Sequence, residues 1–419
     1  IQGSVAKDTW LAGERDVDMF ILLPRMSTRD IFSKVLEVVK ALVGESWVEA
    51  YAEHPYLQGV IEGYRIDFVP CFEIERADEA GSSVDRTPLH TFYVKRRLDQ
   101  HAKNEVRLLK RFMRGTETYG AEIRVGGFSG YLCELLTLHY KSFLDVLKAF
   151  ADWKERKLID SENYYTGRKQ EVEKVFKEPL IVVDPVDKGR NVASALRKKS
   201  LDTFIVASRM FLQKPSDKYF YPPERQAFTP KRIAEIFKSR GSTLVFVKFG
   251  KVNTVPDVLW GQLYKSQRSL RKRLQTHDFR VIRDAVWSNE QDLNVFLFEV
   301  ANRVLPHIRK HSGPPIEKRE DCEKFLQKHV KSTYTLSGPR IENGRWIVET
   351  RRKYTDVTAL LADTLEKGGR QAGVADLISQ TVTENLQILT NAEILDSYKN
   401  NKELARLITE YLIGKPRWL

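Results

Sequence analysis

The most restrictive feature of this 419-residue chain is a pair of acids at the head of an apolar run, Asp16-Val17-Asp18-Met19-Phe20-Ile21-Leu22-Leu23. Such a run reads as a β-strand, and along a strand residues i and i+2 share a face. Asp16 and Asp18 therefore stand side by side, with Val17 turned into the core. Two carboxylates that close repel unless a cation lies between them. Oxygen-only ligands of this kind suit Mg²⁺, which completes its shell with water and substrate phosphates. A third acid, Asp67, sits inside Tyr64-Arg65-Ile66-Asp67-Phe68-Val69-Pro70, where an unpaired charge is costly. A place on a strand next to the pair removes that cost. Ahead of the first strand, Gly3-Ser4 is expected in a loop whose N–H groups and hydroxyl can meet phosphate, with Lys7 adding charge. Two divalent ions roughly 3.5–4 Å apart on such carboxylates can activate a 3′-hydroxyl and stabilise a leaving pyrophosphate.

Charge points the same way. The 69 Lys and Arg against 56 Asp and Glu leave a net +13, which favours a polyanionic partner, nucleic acid before membrane. No apolar run approaches the roughly 20 residues of a membrane span. The three cysteines are far apart, so a disulfide framework or CxxC zinc site is not expected, and a reducing cytoplasm fits. The chain begins at Ile1, almost on the Gly-Ser motif, so the first domain is read as lacking N-terminal residues.

The periodicity predicts a helix over 30–43, capped by Ser27 or Thr28 and ended by Gly44, and strands over 47–53, 56–62 and 64–74 with a tight turn at Glu62-Gly63. From about residue 103 it turns helical: 104–113, one long helix over 129–153, a short strand over 180–183, and a helix over 193–212. Residues 214–230 hold four prolines and read as a linker. Beyond them come helix 231–239, strand 243–249, helix 257–276 and strands 279–287 and 293–300, which suggests helices covering one face of an antiparallel sheet. Asn343-Gly344 marks a hairpin, and 381–413 is partly helical. His307 and His311 have helical i, i+4 spacing, but in basic surroundings and without an H-E-x-x-H pattern. Basic clusters recur at Lys95-Arg96-Arg97, at Arg268 with Arg271-Lys272-Arg273, and at Arg351-Arg352-Lys353. Singly each is a solvated face; as a set they fit an RNA groove with salt-dependent binding.

A Gly-Ser followed after about a dozen residues by an acid, one residue and Asp resembles the signature of the DNA polymerase β-like nucleotidyltransferases. Longer blocks narrow this. Gly3-Ser4-Val5-Ala6-Lys7-Asp8-Thr9-Trp10-Leu11, Ala52-Glu53-His54-Pro55-Tyr56, Ile66-Asp67-Phe68-Val69-Pro70-Cys71 and Val84-Asp85-Arg86-Thr87-Pro88-Leu89-His90 are similar to the archaeal, class I CCA-adding enzymes. So are Asn104-Glu105-Val106-Arg107-Leu108-Leu109-Lys110, Tyr119-Gly120-Ala121-Glu122, Gly127-Phe128-Ser129-Gly130-Tyr131-Leu132-Cys133-Glu134, and Val182-Val183-Asp184-Pro185-Val186-Asp187 with Arg190-Asn191-Val192-Ala193.

The resemblance implies a multidomain α+β protein: a polymerase β-like head of mixed sheet and helices (1–100), a mainly helical central domain completing the nucleotide pocket (101–223), and a C-terminal α+β, sandwich-like RNA-binding body with a tail (224–419). It implies addition of C, C and A to the tRNA 3′ end from CTP and ATP, without a template, with two Mg²⁺ ions. The partner is tRNA, gripped at its acceptor and T arms and 3′ end. No membrane is involved, and a homodimer is left open. Carried over, Asp16, Asp18 and Asp67 are the metal-binding catalytic carboxylates. Gly3, Ser4, Lys7, Thr87, His90, Lys110, Tyr119 and Arg190 surround the nucleotide, Arg190 reading the base together with RNA phosphates. Asp16 stands where the family often has Glu, and Lys7 where Arg is common, which keeps the charge and loses the bidentate fork. By pattern alone, Lys110 is a solvated lysine, Tyr119 stacks on a base or packs in the core, His90 lies in a loop, and Arg190 precedes a helix. Two alternatives stay open: a poly(A) polymerase-like enzyme of the same superfamily, and a non-catalytic RNA-binding protein on that fold.

Overall fold

The computed structural model describes residues 1–14, 16–25, 30–44, 47–51 and 55–419, without the side chains of Ala50, Tyr51 and Lys169. The cap expected of Ser27 or Thr28 and residues 52–54 of the resemblance lie outside them. No described helix is long and apolar enough to cross a membrane. The chain divides into two compact units, Ile1–Glu224 with Lys415–Leu419, and Arg225–Gly414.

The first unit opens with α1 (Gly3–Lys7), β1 (Asp16–Leu23), α2 (Asp30–Val43), β2 (Trp47–Tyr51), β3 (Pro55–Ile61) and β4 (Tyr64–Phe72). The strands form one sheet in the order β1-β4-β3-β2, with β1 parallel to β4 and the other pairs antiparallel. Glu62 and Gly63 both have positive φ, as a two-residue hairpin turn demands, so β3 and β4 meet where expected. Helix α2 lays Phe32, Leu36 and Val39 inward, and Leu36 and Val39 meet Leu57 and Phe68 of the sheet. Met19, Ile21 and Ile66 join that face. The period of two then turns Asp16, Asp18 and Asp67 to the opposite face.

Next come α3 (Thr87–Lys95), α4 (Gln100–Gly115), α5 (Gly130–Tyr140), α6 (Phe143–Ala151), β5 (Lys157–Ile159), α7 (Lys169–Val175), β6 (Leu180–Asp184), β7 (Asp187–Asn191) and α8 (Lys198–Gln213). The single helix expected over 129–153 is two. Lys141 takes a left-handed conformation, and the Ser142 hydroxyl caps α6 by accepting from the Asp145 N–H at 3.1 Å. Apolar periodicity on both sides hid that break. Helices α4, α5, α6 and α8 share an aromatic-rich core built on Phe112, Phe128, Phe150 and Phe204. The proline-rich stretch is not a free linker at its start: Tyr219 is buried against Phe112, and Arg111 donates to the Phe220 carbonyl. Trp418, near the chain's end, packs on Tyr219.

The second unit contains α9 (Pro230–Arg240), β8 (Thr243–Phe249), α10 (Pro256–Thr276), β9 (Val281–Ser288), β10 (Asn294–Val300), β11 (Ile308–Pro315), α11 (Arg319–His329), β12 (Thr335–Glu342), β13 (Arg345–Arg351), α12 (Val357–Leu365), α13 (Asp376–Glu384), β14 (Gln387–Thr390), α14 (Asn391–Asn400) and α15 (Lys402–Ile413). Its main sheet has the order β14-β8-β10-β9. Helices cover both faces, not one. Val245, Val247 and Phe249 pack with α10, α12 and α13, while Leu244 and Phe246 pack with α9, α14 and α15. An unbroken apolar run such as Leu244-Val245-Phe246-Val247 is what a strand buried on both sides requires. A second sheet, β11-β13-β12, carries α11, and Asn343-Gly344 turns β12 into β13 with positive φ at both residues. His307 and His311 do not lie on a helix: His311 is in β11 and stacks on Phe325. Their i, i+4 spacing therefore has no helical face to act on.

Candidate active site

The parallel register of β1 and β4 sets Asp18 opposite Asp67 and Asp16 opposite Arg65. Asp67 accepts from the Gln58 amide on β3 at 2.8 Å. Asp16 and Arg65 form a half-exposed ion pair at 3.0 Å. Among the described residues, no side chain hydrogen-bonds or ion-pairs with Asp18 in this way. Burial pushes its carboxyl above the ordinary value; Asp67 and, more weakly, Asp16 push it further, and Lys7 and Arg65 oppose them. A carboxylate left in that state is electrostatically short of positive charge, which is the environment a cation fits. Among the described residues, no three His, Cys, Asp or Glu side chains are gathered closely enough to hold an ion as they stand. Asp16 is turned to Arg65 instead.

Gly3 and Ser4 are not in a loop. They begin the one-turn helix α1, and the Gln2 N–H bonds the Asp18 carbonyl at 2.8 Å. Gly3 has φ of +66°, and a Cβ there would lie 1.7 Å from Asp18 Oδ2. Only glycine lets this turn press against the acid.

Lys110 is not a solvated lysine. It is 1% exposed, and its ammonium donates to the Thr9 carbonyl and hydroxyl, both at 3.1 Å. The focus of this cluster is Glu134 on α5, fully buried, which accepts from Lys7 at 2.6 Å and the Thr9 hydroxyl at 2.6 Å, with Lys110 at 3.5 Å. Burial raises the Glu134 carboxyl, but the two lysines and Thr9 outweigh it and hold it below the ordinary value. One acid between two ammonium groups leaves one positive charge in excess. Tyr119 is half-buried nearby: a Cβ on Gly130 would lie 3.2 Å from its hydroxyl and 3.4 Å from Lys110 Nζ. Burial keeps the Tyr119 phenol protonated.

His90 is not in a loop but on α3, buried, and Arg190 is not ahead of a helix but on β7. Both reach Asp184 at the end of β6, at 2.9 and 2.7 Å. Tyr131 also donates to Asp184, at 3.1 Å; its ring stacks on His90, with centroids 4.3 Å apart, and the Lys7 ammonium lies 5.6 Å from its centroid. The Lys7 ammonium thus lies near Tyr131, which joins His90 and Arg190 on Asp184, and its charge is also felt by Asp18. Thr87 opens α3, half-buried, one turn ahead of His90.

Glu134, Asp184, Tyr131 and Gln58 were not singled out from sequence. The signal for Glu134 was present: an acid in Leu132-Cys133-Glu134-Leu135-Leu136 is as isolated among apolar residues as Asp67 is. Asp184, directly after the apolar Leu180-Ile181-Val182-Val183, offered the same clue.

The second unit has a basic cavity of about 240 Å³ lined by Arg309, Arg351, Arg352, Lys353, His277 and Asp278, among others. Arg309 and Arg352 both pair with Asp278, whose φ is positive. The third sequence cluster thus enters a cavity. Of the second, Arg271 pairs with Asp284 at 2.9 Å.

Comparison with known proteins completes the picture. Three family models match the chain in order: a nucleotidyltransferase domain over residues 1–90, the second domain of tRNA nucleotidyltransferase over 104–221, and the C-terminal domain of CCA-adding enzyme over 240–391. The CCA-adding enzyme of Methanosarcina barkeri is 38% identical over 395 residues, covering 94% of this chain and 84% of that protein. That of Methanothermobacter thermautotrophicus is 39% identical over 373 residues, covering 88% and 79%. That of Archaeoglobus fulgidus is 38% identical over 354 residues, covering 84% and 77%. With all three domains matched in sequence order and the acids of β1 and β4 facing each other beside a buried lysine cluster, the chain belongs to the CCA-adding enzymes, which are tRNA nucleotidyltransferases.

Proposed function

We propose that the first unit joins CMP, CMP and AMP in turn to the tRNA 3′ end, using CTP and ATP and releasing pyrophosphate. The observation that carries this reading is the pairing of Asp18 with Asp67 next to an excess positive charge at Lys7 and Lys110. Asp16, Asp18 and Asp67 would hold two Mg²⁺ ions, Asp16 by turning from Arg65. Bound there, the ions supply charge that lowers the pKa of the attacking hydroxyl and neutralises the leaving pyrophosphate. The side chains do the rest by positioning and charge. The α1 backbone at Gly3 lies against Asp18, and Ser4 follows it in that turn, where a triphosphate entering the acid face would meet them. Lys7 and Lys110 offer that triphosphate the charge that Glu134 leaves uncompensated. Tyr119, protonated, donates a hydrogen bond or stacks.

Arg190 is the base-contacting residue. A guanidinium only donates hydrogen bonds. The ring nitrogens N3 of C and N1 of A accept one, whereas U and G carry a hydrogen at those positions. His90 and Thr87 line the same side. The basic cavity of the second unit takes phosphates of the tRNA acceptor and T arms, read by A-form shape. The protein works in the cytoplasm.

The test is extension of a tRNA transcript ending before its CCA, with Mg²⁺, read at single-nucleotide resolution. CTP with ATP is expected to stop at plus three, and CTP alone at plus two. A long A-only ladder would move the protein to the poly(A) class. Binding without any extension would leave an RNA-binding protein on this fold.

A further inference from the structure

Asp184 deserves a role that the site residues above do not include. It ends β6, every residue of which is buried, and its own side chain has no exposure. Four donors converge on it: His90 Nε2 at 2.9 Å, Arg190 Nη1 at 2.7 Å, the Tyr131 hydroxyl at 3.1 Å and the Val186 N–H at 3.1 Å. Burial pushes its carboxyl up, but the bonds from His90, Arg190 and Val186 outweigh it and hold it below the ordinary value. The acid is therefore ionised at neutral pH and balances the cation it holds.

The partners are unequal in a telling way. The Tyr131 side is packed, with its ring stacked on His90. The Arg190 side chain is 36% exposed. One nitrogen of the guanidinium is anchored on Asp184, and among the described residues the others have no hydrogen-bond or ion-pair partner. A guanidinium has five N–H groups in a rigid plane, so anchoring one nitrogen sets the direction of the rest. A surface arginine without such an anchor samples many rotamers, and ordering it on each binding event costs affinity. The anchor itself is fixed by the β6–β7 hairpin, where the Tyr164 hydroxyl bonds the Pro185 carbonyl at 2.7 Å.

We propose that Asp184 is the positioning residue for nucleotide selection: it holds Arg190 and His90 in one arrangement, so that the free N–H groups of Arg190 point at the ring-nitrogen acceptor that C and A share. This rests on the reading of Arg190 as the base-contacting residue. Asp184 itself touches no substrate atom. Its effect is on the energy difference between a base that accepts at that position and one that donates. A donor facing a donor leaves both buried groups unpaired, which is where discrimination of this kind comes from.

The experiment measures incorporation of CTP, ATP, UTP and GTP one nucleotide at a time on tRNA lacking its CCA, for wild type, Asp184→Asn, Asp184→Glu and Arg190→Ala. Asp184→Asn keeps the size and an acceptor for Tyr131 and Val186 but loses the charge. It is expected to raise KM for CTP and ATP about 10-fold with kcat changed less than about 3-fold. The preference over UTP should fall by about 10-fold. Asp184→Glu keeps the charge and moves it by one methylene; it is expected to lose preference by a smaller factor, and it stands in if the Asn variant fails to fold. The double variant Asp184→Asn/Arg190→Ala should be no worse than Arg190→Ala alone. If Arg190→Ala loses the preference while both Asp184 variants keep it, the proposal is overturned. A uniform fall in kcat for all four nucleotides with preference unchanged marks a merely structural acid and overturns it too. If Arg190→Ala itself keeps the preference, the base-reading role of Arg190 is what fails, and Asp184 loses its function with it.

Discussion

Asp18 in the first unit and Glu299 in the second are both acids on strands among apolar neighbours, yet they are in opposite electrostatic states. Glu299 is 1% exposed and accepts from Arg240 in a two-point contact at 2.7 and 2.9 Å, from Ser242 at 2.6 Å and from Tyr411 at 3.2 Å. Burial raises its carboxyl, but these donors win and hold it below the ordinary value. Asp18 is raised, because burial and Asp67, with Asp16, outweigh the opposing charges of Lys7 and Arg65. A buried acid with its donors supplied is a finished structural joint. One that lacks them, and faces a second acid, is a place where the fold has left work for something that arrives later. Glu134 and Asp184 belong with Glu299 in being satisfied, Glu134 by Lys7 and Thr9 and Asp184 by His90 and Arg190.

The comparison is broken or sharpened by substitution. The largest effect is expected at the acid face. Asp67→Asn or Asp18→Asn should lower nucleotide incorporation by about 10³-fold or more, with tRNA affinity within about twofold in a binding titration. Asp18→Asn should at the same time raise the melting temperature measured without divalent ions. Its folded pKa is raised, so its charged form is a destabilising load above its unfolded pKa, and removing the charge removes the load. An unchanged or lower Tm would mean Asp18 is already compensated, like Glu299.

Gly3→Ala comes next. The added Cβ must displace the Asp18 carboxylate, and φ is strained besides. A loss of about 10²-fold in kcat is expected, since misplacement by about 1 Å costs that much.

Glu299→Gln is the mirror experiment. Removing one partner of a buried pair is expected to cost about 3 kcal/mol in thermal or urea unfolding, with incorporation on saturating tRNA nearly intact. The sign with pH follows from the lowered pKa. The stability that Glu299 contributes is fully present above its unfolded value near 4.5, and it is lost as pH falls through the lower folded value. The Tm gap between wild type and Glu299→Gln should therefore narrow below about pH 4. A gap that widens there contradicts the assignment.

The smallest effect is expected from Arg65→Ala, which frees Asp16 from a half-exposed pair. Such pairs are worth about 0–1 kcal/mol. Half-saturation by Mg²⁺ in the extension assay should shift to lower concentration by no more than about fivefold. A shift the other way would show that Arg65 helps the site rather than competes for it.

Much of this was legible in the chain, for reasons particular residues make plain. Asp16, Asp18 and Asp67 stood out because a charge in an apolar strand is anomalous, and strand periodicity alone assigns them a face. The Glu62-Gly63 and Asn343-Gly344 turns were legible because few residues adopt positive φ readily. The split between α5 and α6 was not, since apolar spacing continues across Lys141-Ser142 and only the cap hydrogen bond marks the break. The burial of Lys110 was not, because a lysine reads as solvated until its partner is known, and that partner, Glu134, is 24 residues away. The second helical layer over the β14-β8-β10-β9 sheet was missed because the C-terminal helices that form it are far away in sequence.

What the sequence by itself determined is the set of local facts: which residues alternate on a strand, where the backbone must turn left-handed, which acids have no local partner, and, through runs of matching residues, the family. Tertiary structure decided which partner each acid meets. Asp16 took Arg65, Glu134 took Lys7 and Lys110, Asp184 took His90 and Arg190, and Asp18 was left facing Asp67. The physical reason is range. Backbone sterics and side-chain periodicity act over a few residues, whereas Coulomb attraction and desolvation depend on distance in space, and that distance is set only when the elements pack.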